Sequence, residues 1–199
     1  LAALVSEATA AFDGYDYARA LERTETFFWS FCDDYLELVK ARAYGGATFA
    51  EAATVSARAA LAVALDVLLR LFAPILPFVT EEVWSWWRAG SVHRASWPDA
   101  TSLGSEEPGT DPLVLAVAVE VLTAVRRAKS DAKQSMRAPV EHVTVRDTAA
   151  RLRALASVEA DVLAAGNVTT LTTDPVTDGV EPGVEVRLTP LDTEAAPTV

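Results

Sequence analysis

The feature that most constrains this fold is a run of apolar and aromatic residues, Tyr17, Leu21, Thr24, Phe28, Phe31, Tyr35 and Leu38, spaced 4-3-4-3-4-3. That recurrence keeps one stripe against a core for about six helical turns and excludes a strand over the segment. Trp29, Cys32, Leu36 and Val39 widen the stripe, while Arg19, Arg23, Ser30, Asp33, Glu37 and Lys40 fall on or near the other side. Gly45-Gly46 stops the helix. Thr48, with Glu51 three residues on, has the spacing of a capping box and predicts a second helix carrying Val55, Ala59, Ala62, Leu65, Leu69 and Phe72. Pro74 and Pro77 end it, and a shorter helix over roughly 78–89 holds Trp84, Trp86 and Trp87.

All five tryptophans precede residue 98, whereas the last third is rich in Val and Thr. Between them, Pro98 to Pro112 is a Pro/Gly/Ser/acidic stretch that reads as a linker. Asp111-Pro112 is a helix start, with Asp as cap and Pro at the first helical position. Val114, Val117, Val121, Ala124 and Val125 give that helix an apolar face. The period then becomes two, through Val143 and Val145 and again through Val184, Val186 and Leu188. Asn167 to Thr173 makes a third strand and 148–165 a helical connection. The expected fold is mainly α: a helical bundle over 1–98, a linker at 99–111, a small α+β subdomain over 112–190 and a disordered tail at 191–199.

With 51% apolar and 23% charged residues in 199, the chain can bury a core. A net charge of −11 argues against bulk electrostatic binding of nucleic acid and leaves local basic patches open. A single cysteine excludes an internal disulfide framework and a Cys-rich zinc site. No run of 18 uncharged apolar residues occurs, so no membrane span is expected. The opening residues lack an initiating Met and a basic signal region, as in a piece of a longer protein. No GxGxxG, Walker-type loop, serine elbow or HExxH is present. Cys32 reads as a buried structural thiol, His93 as an exposed loop residue and His142 as solvated on a strand's outer face. Catalysis by this chain alone, and a cofactor site within it, are not expected.

Three segments carry a family resemblance. Tyr17 to Gly45, with its Phe31-Cys-Asp-Asp-Tyr-Leu-Glu37 run, resembles the helix of the anticodon-binding domain of valyl-tRNA synthetases. Leu71-Phe-Ala-Pro-Ile-Leu-Pro-Phe-Val-Thr-Glu-Glu-Val-Trp84 is similar to the Pro-broken segment of that domain in the Val/Ile/Leu group of class I synthetases, and Ser91-Val-His-Arg-Ala-Ser-Trp-Pro98 to the exit that follows it. The resemblance covers residues 1 to about 98; 112–190 looks like the more variable appendage. It implies part of a cytoplasmic, monomeric ligase that activates valine with ATP and Mg and esterifies it onto tRNA(Val). The catalytic and editing domains, and the ATP site, would lie upstream. Lys129 to Ser135 lacks the middle of the class I lysine loop and is rejected as a nucleotide site. An early helix that meets the anticodon in relatives is expected to be missing, and no heptads of a coiled-coil arm follow Pro190. The same domain of an isoleucyl enzyme, and an acidic helical protein-interaction module without an RNA role, are the alternatives.

Binding an anticodon stem-loop requires cations for phosphates and flat side chains for splayed bases. The end of the first long helix supplies Lys40, Arg42 and Tyr44; Lys40 could equally pair with Glu37 one turn back. Arg94, beside His93, is a further candidate. The second patch comprises Arg126, Arg127, Lys129, Lys133 and Arg137, with Asp131 as its one acid; a solvated helix end has equal claim. Trp29 reads as core, and Trp84, Trp86 and Trp87 as core and rim rather than base platforms.

Overall fold

The chain opens with helix α1 (Ala2–Asp13), and the 4-3 stripe follows as helix in three pieces: α2 (Tyr17–Ser30), a π-helical segment (Phe31–Leu36) and α3 (Glu37–Tyr44). The structure is a computed structural model and describes residues 1–103, 111–176 and 181–190. The π segment is where strict i,i+4 bonding widens. Across it the rings of Phe27, Phe31 and Tyr35 stack successively at 6.0 and 5.4 Å. Gly45 (φ 81°) and Gly46 (φ 127°) then turn the chain in a region that L side chains avoid.

Helix α4 (Glu51–Phe72) begins without a side-chain cap. The capping box expected at Thr48 and Glu51 does not form, because Thr48 lies in a turn and Ala50 flanks the helix. By length and apolarity α4 could cross a membrane. It is instead a core helix: Val67, Leu68 and Leu71 pack with Leu4, Val5 and Ala8 of α1, and Phe28 meets Phe72 edge-on at 5.8 Å. Its Asp66 is held by Arg70 and by Arg88. Pro77 opens α5 (Pro77–Ser85), where a missing N–H costs nothing, and that helix ends four residues earlier than the 78–89 expectation. Trp84 joins Leu69, Ala73 and Val92 in a small cluster.

Three further expectations need correction. Trp29 is 55% exposed, its indole N–H reaching Glu25 at 3.4 Å, because it lies just off the stripe that packs. Cys32 is half-buried, and burial, then Asp33, push its thiol above the ordinary value. The stretch assigned to the linker begins with helix α6 (Ala100–Leu103), capped by Asp99, which accepts from the Thr101 amide at 2.9 Å; Ala100 and Leu103 pack on the α1–α4 core. The rest of that linker, 104–110, and the tail, 191–199, lie outside the described residues.

Helix α7 (Pro112–Asp131) starts where Asp111 accepts from the Leu113 amide at 2.9 Å. It is followed by β1 (Val140–Asp147), α8 (Ala149–Ala156), α9 (Glu159–Gly166), β2 (Val168–Pro175) and β3 (Gly183–Leu188). The sheet order is β2-β1-β3, with β1 parallel to β2 and antiparallel to β3. Val143 faces Leu171 on one side and Val186 on the other, so the period-two valines form one buried face. They pack with Val117, Val121 and Val125 of α7, Leu155 of α8 and Val162 of α9.

The compact units do not follow a single cut. One comprises Leu1–Leu36 with Ala43–Gly109; the other comprises Thr110–Val199 together with Glu37–Arg42. Leu38 accordingly belongs to the core of the α+β unit.

Candidate nucleic-acid interface

In the first unit, the carbonyls that end a helix have no partner within it. At the end of α3, Arg58 of α4 supplies one, its Nε donating to the Ala43 carbonyl at 2.7 Å and Nη2 to that of Tyr44 at 3.3 Å. Its guanidinium also sits where the helix dipole favours a cation. Tyr44 itself is 79% exposed. Nothing local in the sequence reveals Arg58, which acts across 15 residues.

The tryptophans divide by environment. Trp84 is buried, Trp87 forms the rim, and Trp86 stands 70% exposed with its N–H on Glu82 at 3.1 Å. Arg88 lies over Trp87 at 4.6 Å and Trp84 at 5.9 Å, and donates to Asp66 at 3.0 Å. The segment after α5 is clamped by Glu81, whose Oε2 accepts from Ser91 Oγ and the Val92 amide, each at 2.9 Å. His93 Nε2 lies 3.1 Å from the Pro77 carbonyl. Arg94, next to it in a 3-10 turn, is exposed, and its guanidinium has no protein partner among the described residues. A groove of about 520 Å³ is lined by Trp84, Ala89, Gly90, Ser91, Arg94 and Ala95.

In the α+β unit, Lys40 bridges Glu37 at 2.8 Å, with both side chains about half exposed. Arg42 is engaged more deeply. Its Nη2 lies 3.2 Å from Asp161 Oδ2, a carboxylate only 5% exposed, and Arg42 Nε and Asp161 Oδ1 are buried without partners among the described residues. Burial raises the Asp161 carboxyl above its ordinary value, against the opposing pull of Arg42. Arg126 is half-buried and makes its own interactions. Arg127 is open, with Asp131 at 3.8 Å.

The basic patch loses one member. Lys129, expected to share its surface, is 2% exposed and donates to the carbonyls of Met136 at 3.0 Å and Gly166 at 2.8 Å. Residue 129 lies on the same helical face as Val121, Val125 and Leu122, which turns it inward with the apolar stripe. Burial lowers its ammonium below the ordinary lysine value. Lys133 and Arg137 remain exposed. His142, expected to be solvated, is half-buried with Nε2 2.9 Å from Thr172 Oγ1.

What these surfaces offer chemically is point charges for phosphates and ring faces for bases, which is how single-stranded RNA is held. Residues 1–145 match the family model described as the anticodon-binding domain of tRNA ligase, and the chain belongs to that family. Among its relatives is the valine–tRNA ligase of Thermobifida fusca, 57% identical over 192 residues, which are 96% of this chain and 21% of that protein. The valine–tRNA ligase of Salinispora tropica is 57% identical over 184 residues, covering 84% of this chain and 21% of that protein. That of Bifidobacterium longum is 43% identical over 175 residues, covering 84% and 19%. The chain thus spans about a fifth of the length of these relatives.

Proposed function

We propose that this chain is the tRNA-anticodon-binding part of a valine–tRNA ligase. The observation that carries the reading is its 57% identity to the Thermobifida fusca ligase across 96% of the chain. In the whole enzyme, valine is activated with ATP and Mg and then esterified onto tRNA(Val), and those steps belong to other parts of the polypeptide. A cytoplasmic, monomeric enzyme completes the reading. This chain's work is to hold the anticodon stem-loop in register. Tyr44 offers a stacking face, and Lys40, Arg94, Arg126 and Arg127 meet phosphates, with Arg42 sharing its charge between RNA and Asp161. Exchange at Lys40 is cheap, since an exposed pair such as Lys40–Glu37 contributes about 0.5 kcal/mol at most in a helix.

The test uses the full-length protein and tRNA(Val) with its anticodon replaced. Charging efficiency is expected to fall roughly tenfold or more, the equivalent of about 1.4 kcal/mol of lost base contacts, while valine-dependent pyrophosphate exchange stays unchanged. Equal charging of both tRNAs would overturn the reading. In the same protein, Lys40→Ala is expected to reduce the salt slope of tRNA binding by roughly 0.7, the value of one single-stranded phosphate contact.

A further inference from the structure

The carbonyls of a helix's last turn lie beyond the reach of its own N–H groups, and that turn is the first to fray. Tyr44 is the last residue of α3, and the chain after it runs into Gly45 (φ 81°) and Gly46 (φ 127°), which hold no direction by themselves. The loop that leads to α4 is tied by a long bond, from the Phe49 N–H to the Gly46 carbonyl at 3.4 Å. A largely exposed ring at such an end keeps a fixed place only if something outside the helix supplies it.

One turn of α4 supplies it on both sides of Tyr44. Arg58 Nε holds the Ala43 carbonyl at 2.7 Å, and Nη2 holds that of Tyr44 at 3.3 Å. The planar fork of a guanidinium lets one side chain grip two successive carbonyls in a single geometry. Gly45 lies against the same turn: a Cβ added there would stand 3.5 Å from Cγ2 of the buried Thr54 and 3.9 Å from Arg58 Nη2. The core of α4 does not call for this arginine. Its side chain is exposed, and Val67, Leu68 and Leu71, which pack against α1, begin about two and a half turns further along the helix.

We propose that Arg58 is a positioning residue for RNA binding: it makes no contact with the RNA, and it fixes the end of α3 so that the Tyr44 ring stands where a splayed base arrives. The inference rests on the reading above, in which Tyr44 is a stacking face. An end set before binding spares the complex the ordering that a frayed end would undergo.

Full-length protein carrying Arg58→Gln, Arg58→Lys, Tyr44→Ala, or Arg58→Gln together with Tyr44→Ala should be titrated with tRNA(Val) over a range of salt. Each is also assayed for charging and for valine-dependent pyrophosphate exchange, and circular dichroism melts guard against misfolding. Tyr44→Ala is expected to weaken binding roughly tenfold, within the range of one base–aromatic stack. Arg58→Gln should weaken it, and raise the Michaelis constant for tRNA, roughly fivefold. The salt slope, the charging rate at saturating tRNA and the exchange rate should stay unchanged. Once Tyr44 is gone, Arg58→Gln should cost nothing further, which is the signature of two residues acting as one. Arg58→Lys keeps the charge at the helix end without the fork, and should recover part of the loss. A loss of equal size with and without Tyr44 marks a purely structural residue and overturns the proposal. A fall of about 0.7 in the salt slope marks a direct phosphate contact and overturns it too. Unchanged tRNA affinity in Arg58→Gln, with anticodon replacement still harmful, removes the positioning role and leaves the RNA-binding reading standing. If anticodon replacement is harmless as well, the RNA-binding reading itself fails.

Discussion

Asp161→Ala is expected to destabilise the α+β unit by about 3 kcal/mol, the lower end of what breaking a buried ion pair costs. The loss comes from the residue left behind more than from the one removed. Arg42 keeps only 26% of its side chain in water, so without Asp161 its charge is held in a poorly hydrated place. The intact pair is not itself a strong source of stability. Burial lifts the Asp161 carboxyl above its ordinary value, so the folded chain binds that proton more tightly than the unfolded chain does. This contribution favours folding in acid, below the ordinary carboxylate value, and is lost as pH rises through the raised one. Urea unfolding at neutral pH should still show the single variant well below wild type, because Arg42 is left without its carboxylate, and the gap should widen in acid. The double change Arg42→Met with Asp161→Leu should recover most of the deficit, because an apolar pair of similar size replaces buried charge at little cost. A single variant as stable as wild type would show the contact to be incidental.

Lys129→Ala is expected to cost about 3 to 4 kcal/mol, more than any exposed member of the same cluster. Two effects combine: a cavity where the buried aliphatic stem packed, and two carbonyls, of Met136 and Gly166, stripped of their donor. Lys129→Met separates them by keeping the stem, and should cost about 1 to 3 kcal/mol for the carbonyls alone. The pH dependence has the opposite sign to that of Asp161. Burial lowers the Lys129 ammonium below 10.5, so its contribution to folding is present above that value and lost as pH falls through the lowered one. The deficit of the Met variant should accordingly widen as the solution is made alkaline. Arg127→Ala, at an 83% exposed side chain, should leave the unfolding midpoint nearly unmoved.

Regular elements with a strong repeat were legible in the sequence. The 4-3 stripe located α2 and α3, and alternating valines located β1 and β3, because each repeat reflects burial of one face. Asp111-Pro112 marked the start of α7 because cap chemistry is local. What was hidden depends on pairing at a distance. The stripe continues in sequence through Phe31–Leu36 and gives no sign of the π turn. Arg58 and Asp161 each act on residues of the first long helix from far along the chain, and no spacing rule joins them. Lys129 was hidden for a different reason: a basic residue was counted by its charge, while its helical phase, shared with Val121 and Val125, governs where it points. Among the RNA-facing candidates, charge and aromatic type were readable, but the engagement of each guanidinium was not.

The assignment of Glu37–Arg42 to the α+β unit, with Leu1–Leu36 and Ala43–Gly109 forming the other, has a consequence for modularity. The two units are interleaved along the polypeptide, so no severing of one peptide bond separates them cleanly. A fragment that starts at Thr110 inherits Asp161 without Arg42 and the valine core without Leu38. Recombination between relatives at the Pro/Gly-rich stretch near residue 105 would therefore mix a hexapeptide from one parent with the cradle of another. Such chimaeras should tolerate exchange only when that hexapeptide travels with its sheet, which makes six residues of the first long helix part of the heredity of a subdomain whose other residues begin almost seventy positions later.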